Sequence, residues 1–126
     1  MTLFNLPTNS ASVAVGGTGD AVAVWLNEGT GAVQYSRRTG GVWAAGKALY
    51  TPAAAKGELA GDPQVVLQPD GTAVALFWST TPGPLQYCNS GGRIVRCYGP
   101  NKSYAKAATL APGAAAWVRV NVSVSS

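Results

Sequence analysis

Hydrophobic and polar positions alternate with a period of two along most of this chain, in short runs broken by Gly, Pro, Asn and Asp. The clearest run is Trp117-Val118-Arg119-Val120-Asn121-Val122-Ser123-Val124-Ser125, in which four valines fall on one side. Such strict alternation predicts a half-buried strand over 116–125. A second block places Pro63-Gln64-Val65-Val66-Leu67 and Ala73-Val74-Ala75-Leu76-Phe77-Trp78 on either side of Pro69-Asp70-Gly71. Pro presets φ and Gly accepts φ > 0, so the block reads as two strands and a tight turn. Its Val, Leu, Phe and Trp suit a pleated, packed surface. An earlier block, Val13 to Trp25 around Gly16-Gly17-Thr18-Gly19-Asp20, has the same form.

The two blocks superpose without a gap when the chain is shifted by 52 positions, which brings Gly19 onto Gly71. Val13 then meets Val65, Trp25 meets Phe77, Gly31 meets Gly83, Gln34-Tyr35 meets Gln86-Tyr87, and Gly40 meets Gly92. A repeat of this length points to a propeller or another repeat array. The first unit predicts strands near 11–15, 20–26, 32–37 and 42–49. The second predicts 63–68, 72–78, 84–89 and 93–98, with a further run near 103–110. The expected fold is all-β: two four-stranded antiparallel propeller-like blades per chain plus an extra C-terminal strand. It divides a single β domain, 1–126, into a unit at 11–50, a connector at 51–61, a unit at 62–110 and the strand at 116–125. Leu3, Phe4 and Leu6 of the lead-in can dock on a sheet, and Ala53 to Lys56 can form one helical turn between Pro52 and Gly57.

The pairing of Pro63-Gln64-Val65-Val66 with Asp70-Gly71-Thr72-Ala73-Val74-Ala75 resembles blades of sialidase-like propellers. That superfamily often carries an Asp-box, Ser-x-Asp-x-Gly-x-Thr-Trp, between the third and fourth strands. Ser36, Gly40 and Trp43 match it, whereas Arg38 stands at the Asp position and Val42 at the Thr position. In the second unit only Gly92 matches, with Cys88, Ser90 and Val95 at the Ser, Asp and Trp positions. The resemblance implies a fold more than an activity. The arginine cluster, Tyr nucleophile with its Glu, and acidic group of those enzymes do not map onto two units. The chain is also similar to short-repeat lectin propellers, which bind sugars between blades.

Two blades cannot close a ring, and an open sheet exposes its edges. The expected solution is a homo-oligomer, a trimer if the ring has six blades, in which strand 117–125 completes a neighbour's blade. The alternative is a monomeric sandwich or barrel with the tail paired internally.

Composition bounds the rest. With 47% hydrophobic and 11% charged residues the chain has the makings of a packed core. No apolar run reaches the roughly 20 residues that span a bilayer. Nine Lys and Arg against five Asp and Glu give +4, with Arg37-Arg38 the only adjacent pair, which is thinner than the basic face of a nucleic-acid binder. Met1 to Pro7 has no basic region and no long apolar segment, so it does not read as a secretory leader.

The two cysteines flank a glycine-rich turn. A type II′ turn at Gly92-Arg93 would set residue 88 opposite residue 97 as a non-hydrogen-bonded pair, with Cα atoms about 4.5 Å apart. This predicts a Cys88–Cys97 disulfide, the alternative being two small, partly buried thiols. A bridge would favour an oxidising setting, extracellular or in a virion.

There is no histidine, which removes most general-base and metal chemistry. Nothing in the sequence brings two of Asp20, Glu28, Glu58, Asp62 and Asp70 together. The expectation is therefore no enzyme, no cofactor and no metal. Aromatic faces beside polar groups suit sugars, and Trp43 with Arg37 and Arg38, backed by Tyr35 and Glu28, is the candidate ligand-binding cluster. Trp25 and Phe77 are expected in the core, while Trp43 is open to either role. The leading expectation is a non-catalytic, carbohydrate-binding, lectin-like module. The alternative is a self-assembling structural protein such as a virion coat or surface component. The Gly16 to Asp20 hairpin resembles the N-terminal hairpin of small RNA-phage coat proteins, although the C-terminal helices of such coats have no counterpart in this sequence.

Overall fold

The computed structural model describes residues 11–17 and 19–120. The expected docking of Leu3, Phe4 and Leu6, and the tail beyond Val120, lie outside the described residues. All regular structure within them is β except one 3₁₀ turn, Ala54–Lys56, ended by Gly57 at φ 69°. That is the helical turn expected between Pro52 and Gly57.

The first sheet is a meander. β1 (Ala11–Val15) pairs β2 (Ala21–Leu26), β2 pairs β3 (Val33–Thr39), and β3 pairs both β4 (Val42–Trp43) and β5 (Lys47–Tyr50). The strand expected over 42–49 is thus broken at 44–46. Trp25 is the reason: a Cβ on Gly46 would stand 3.0 Å from its ring, so the chain passes over the indole only as glycine. Ser36 Oγ holds the break by donating to the Ala44 carbonyl at 2.6 Å.

The second sheet has the order β11-β10-β7-β6, formed by β6 (Leu59–Leu67), β7 (Ala73–Thr81), β10 (Lys102–Leu110) and β11 (Val118–Val120). β6 begins inside the expected connector. Its register jumps from Gly61↔Trp78 to Gln64↔Leu76, so Asp62 and Pro63 together oppose Phe77. This bulge admits Pro63, which has no N–H for the ladder, and leaves Asp62 at φ 51°, a conformation that Asp tolerates better than most residues.

β8 (Leu85–Ser90) and β9 (Arg93–Tyr98) form a separate two-stranded hairpin. Here the expected second blade fails. β8 pairs β9 alone, and the place beside β7 is taken by β10. The first 16 positions of the repeat hold, β1-β2 matching β6-β7. After them the units diverge, because Gly83 and Pro84 lead the chain out of the sheet. Gly83 lies so close to Gly99 that a Cβ would come within 2.3 Å of its backbone, and Gly99 N donates to the Pro84 carbonyl at 2.7 Å. The tail also differs from expectation: β11 pairs β10 of its own chain through Ala107↔Val120, Ala108↔Arg119 and Thr109↔Val118.

The two sheets face each other across one core. Val22, Val24 and Tyr35 of the first meet Val65, Ala73, Ala75 and Leu110 of the second. Val33 and Tyr50 meet Phe77 in an adjoining cluster. Alanines at 73, 75 and 108 let the layers approach closely, and β1 lies against β6, where Val65 N donates to Ser12 Oγ at 3.2 Å. Trp117 closes the opposite side, edge-on to Tyr35 with ring centroids 5.3 Å apart. Trp25 and Phe77 are both buried, as expected, but on different sides: Phe77 lies between the sheets, whereas Trp25 lies on the other face of β2 against Gly46.

Candidate functional site

The candidate ligand cluster is only partly assembled. Along β3, Tyr35 and Arg37 point to the inter-sheet side, whereas Arg38 falls on the other face, cross-strand from Trp43. Tyr35 is a core residue. Arg37 reaches the opposite sheet, where Nη2 donates to the Gly71 carbonyl at 2.9 Å. It lines a hollow of about 290 Å³ between the β1–β2 and β6–β7 turns, with Asp20 and Gly71. Glu28 lies in the β2–β3 turn, at the far end of β3 from Arg38 and Trp43. Only the half-buried Trp43 and Arg38 remain neighbours.

The strongest polar cluster is one that sequence reasoning missed. Glu58 accepts from Tyr50 Oη, Ser79 Oγ and, at 2.7 Å, the Ala53 N–H, and Lys106 Nζ stands 3.9 Å away. Lys106 also donates to Tyr50 Oη at 3.3 Å, and the Arg119 guanidinium sits 4.5 Å from the Tyr50 ring centroid. Burial raises the Glu58 pKa, but hydrogen bonds from Ser79, Tyr50 and Ala53 and the Lys106 charge outweigh it, leaving it at about 2. A carboxylate so held is a fixed acceptor that ties β5, β7 and β10 together. Its partners are 8, 21 and 48 positions away in sequence, and no local pattern links them. Among the described residues no three His, Cys, Asp or Glu side chains gather as a metal site would require.

Among the described residues two apolar areas dominate the surface, apart from the exposed Val13, Val15 and Val42 of the first sheet. The first is the β8–β9 hairpin. Its register is Ser90↔Arg93, Asn89↔Ile94, Cys88↔Val95, Tyr87↔Arg96, Gln86↔Cys97 and Leu85↔Tyr98. The turn therefore consists of Gly91 and Gly92, both at positive φ (61° and 85°), one residue earlier than expected. Two adjacent glycines satisfy both central positions of a type I′ turn, which matches strand twist and outcompetes the II′ alternative. Cys88 and Cys97 consequently sit diagonally, with Cα atoms 6.0 Å apart and their sulfurs at disulfide distance. Leu85, Tyr87, Ile94, Tyr98 and one charge, Arg96, share the hairpin's other face. Tyr87 is 76% exposed, Ile94 72% and Tyr98 71%.

The second area is the outer face of the β6–β7–β10–β11 sheet. The residues alternating with the core set include Val66, Leu76, Trp78, Val118 and Val120, all exposed. Facing positions on β10 are Ser103, Ala105, Ala107 and Thr109, so the ladder of alternate positions holds no charge. At its β6 border a cleft of about 690 Å³ opens, lined by Ser12, Asp62, Gln64, Leu76 and Trp78. The alternation of 73–78 and 117–120 places these valines, leucine and tryptophan on one side. It does not say which side is covered.

Compared with known proteins, the chain matches no protein-family model and no curated protein.

Proposed function

We propose that this chain is the subunit of a self-assembling protein coat, of the kind that encloses a virion or covers a surface. The observation that carries the reading is the β8–β9 hairpin, which stands off the body with three of its large apolar side chains more than 70% exposed. A free two-stranded hairpin is marginal in water. One that keeps Tyr87, Ile94 and Tyr98 outward, with cysteines positioned to staple it, is built to be covered by a neighbour. The uncharged outer sheet face adds a second area of the same character. No catalysis is assigned to the chain in this role, and the number of subunits follows from the geometry of closure.

Electron microscopy and light scattering of the purified protein test it. Shells, filaments or large closed particles are expected, and a protein that stays at its 12.8 kDa chain mass at every concentration would refute the reading.

A carbohydrate-binding role has one observation in its favour, the cross-strand pair of Arg38 and Trp43. A glycan array in which wild type binds and Trp43→Ala does not would support that reading. No binding by either would count against it.

A further inference from the structure

We propose that the outer face of the β6–β7–β10–β11 sheet receives the β8–β9 hairpin of a second copy of this chain, a contact that rests on the assembly reading above. Each copy would then give one arm and accept one, which is a head-to-tail interface and builds a ring where the rotation closes and a filament where it does not.

Three observations select this occupant. The first is coverage. Among the described residues the hairpin and the sheet face hold most of the exposed large apolar side chains, Val13, Val15 and Val42 of the first sheet lying apart from them, and one contact repeated between copies covers both areas. Pairing sheet face with sheet face would leave every hairpin bare. Pairing hairpin with hairpin would leave Val66, Leu76 and Val118 in water.

The second is charge. The hairpin's apolar face carries one charged residue, Arg96. The sheet's outer ladder carries none, but Asp62 lies at its border in the cleft beside Leu76 and Trp78, exposed and in no salt bridge among the described residues. The bulge that lifts Asp62 out of the ladder puts this carboxylate where an incoming arginine can meet it.

The third is size. Six-residue strands are about 20 Å long, and the nine-residue strands β7 and β10 about 30 Å, so the arm fits along the sheet. The cleft accommodates a large side chain at the place where the sheet surface is interrupted.

The test uses full-length chains. Ile94→Asp disables the arm and Leu76→Asp disables the receiving face. Both positions are exposed, so circular dichroism and melting temperature should stay near wild type. Wild type should assemble and each variant alone should remain a monomer. An equimolar mixture should form a 1:1 dimer and stop there, because the arm of Leu76→Asp docks on the face of Ile94→Asp and no second contact is available. As an independent measure, Arg96→Glu or Asp62→Lys alone should weaken assembly at least tenfold, and the double variant should restore most of it.

Assembly of Leu76→Asp by itself would show a hairpin–hairpin contact, and assembly of Ile94→Asp by itself a face–face contact. Either result overturns the proposal while leaving the coat reading intact. A mixture that stays monomeric overturns it as well. Wild type that never assembles would instead remove the coat reading, and this contact with it.

Discussion

At the scale of single residues, Glu58 shows how one side chain fixes the relation between layers. Its pKa is lowered from 4.5 to about 2 in the folded chain, so the folded state binds its proton more weakly than the unfolded state. The stabilisation it gives is whole above its ordinary value of 4.5 and is lost as pH falls towards 2. Denaturant melts of wild type and Glu58→Gln should therefore differ most near neutrality, with the gap closing as pH drops from 4.5 to about 2. A pH-independent gap would mean that the carboxylate's charge is not what the site uses. Tyr35 is the complementary case. It adjoins the basic pair Arg37-Arg38 in sequence, but period-two geometry sends Tyr35 inward, against Trp117. Tyr35→Ala should cost about 3–5 kcal/mol of stability, read from denaturant unfolding. Trp43→Ala, at a half-buried position, should cost distinctly less.

At the scale of elements, nearly every strand was legible. Alternation and Gly punctuation place β1–β3 and β6–β10 within a few residues of their observed ends, because both are local properties. Partnership was less legible. The shift that aligns Gly31 with Gly83 is correct as text and misleading as structure: Gly31 occupies a turn at φ 74°, while Gly83 is glycine because another backbone passes against it. From that point the second unit leaves the sheet, and β10, with no equivalent in the first unit, takes the vacated place. The candidate ligand cluster is spread out in the fold, because Glu28 lies in the β2–β3 turn and Arg38 near the opposite end of β3. Gly83→Ala should accordingly disturb the hairpin base, where backbone meets backbone and neither can yield, at a cost of at least about 1–3 kcal/mol. Hydrogen exchange should report it as faster exchange across 85–98. Reduction of Cys88 and Cys97 should give the same localised loss of protection, with β2, β3 and β7 unchanged, because the hairpin has no second sheet to support it.

At the scale of the whole molecule, several of the few charges are engaged inside the sandwich, and the outer face of the β6–β7–β10–β11 sheet is left neutral. Lys106 serves Glu58, Arg119 covers Tyr50, and Arg37 spans the sheets to Gly71. An assembly built on such faces is driven by apolar burial, which has a thermodynamic signature distinct from that of attraction between charges. Screening at about 1 M salt shortens the Debye length to about 3 Å and would dissolve an assembly held by long-range charge. Here it should remove only the modest share contributed by Arg96 and Asp62. Cooling weakens apolar association, and sulfate strengthens it. Light scattering should therefore find particles that persist in about 1 M sodium chloride, grow more stable with added sulfate and loosen towards 0 °C. Dissociation by salt at constant temperature would instead place the driving force on attraction between opposite charges of neighbouring copies, since a net charge of +4 on every copy is itself repulsive, and would move the interface from the neutral faces to the charged side chains.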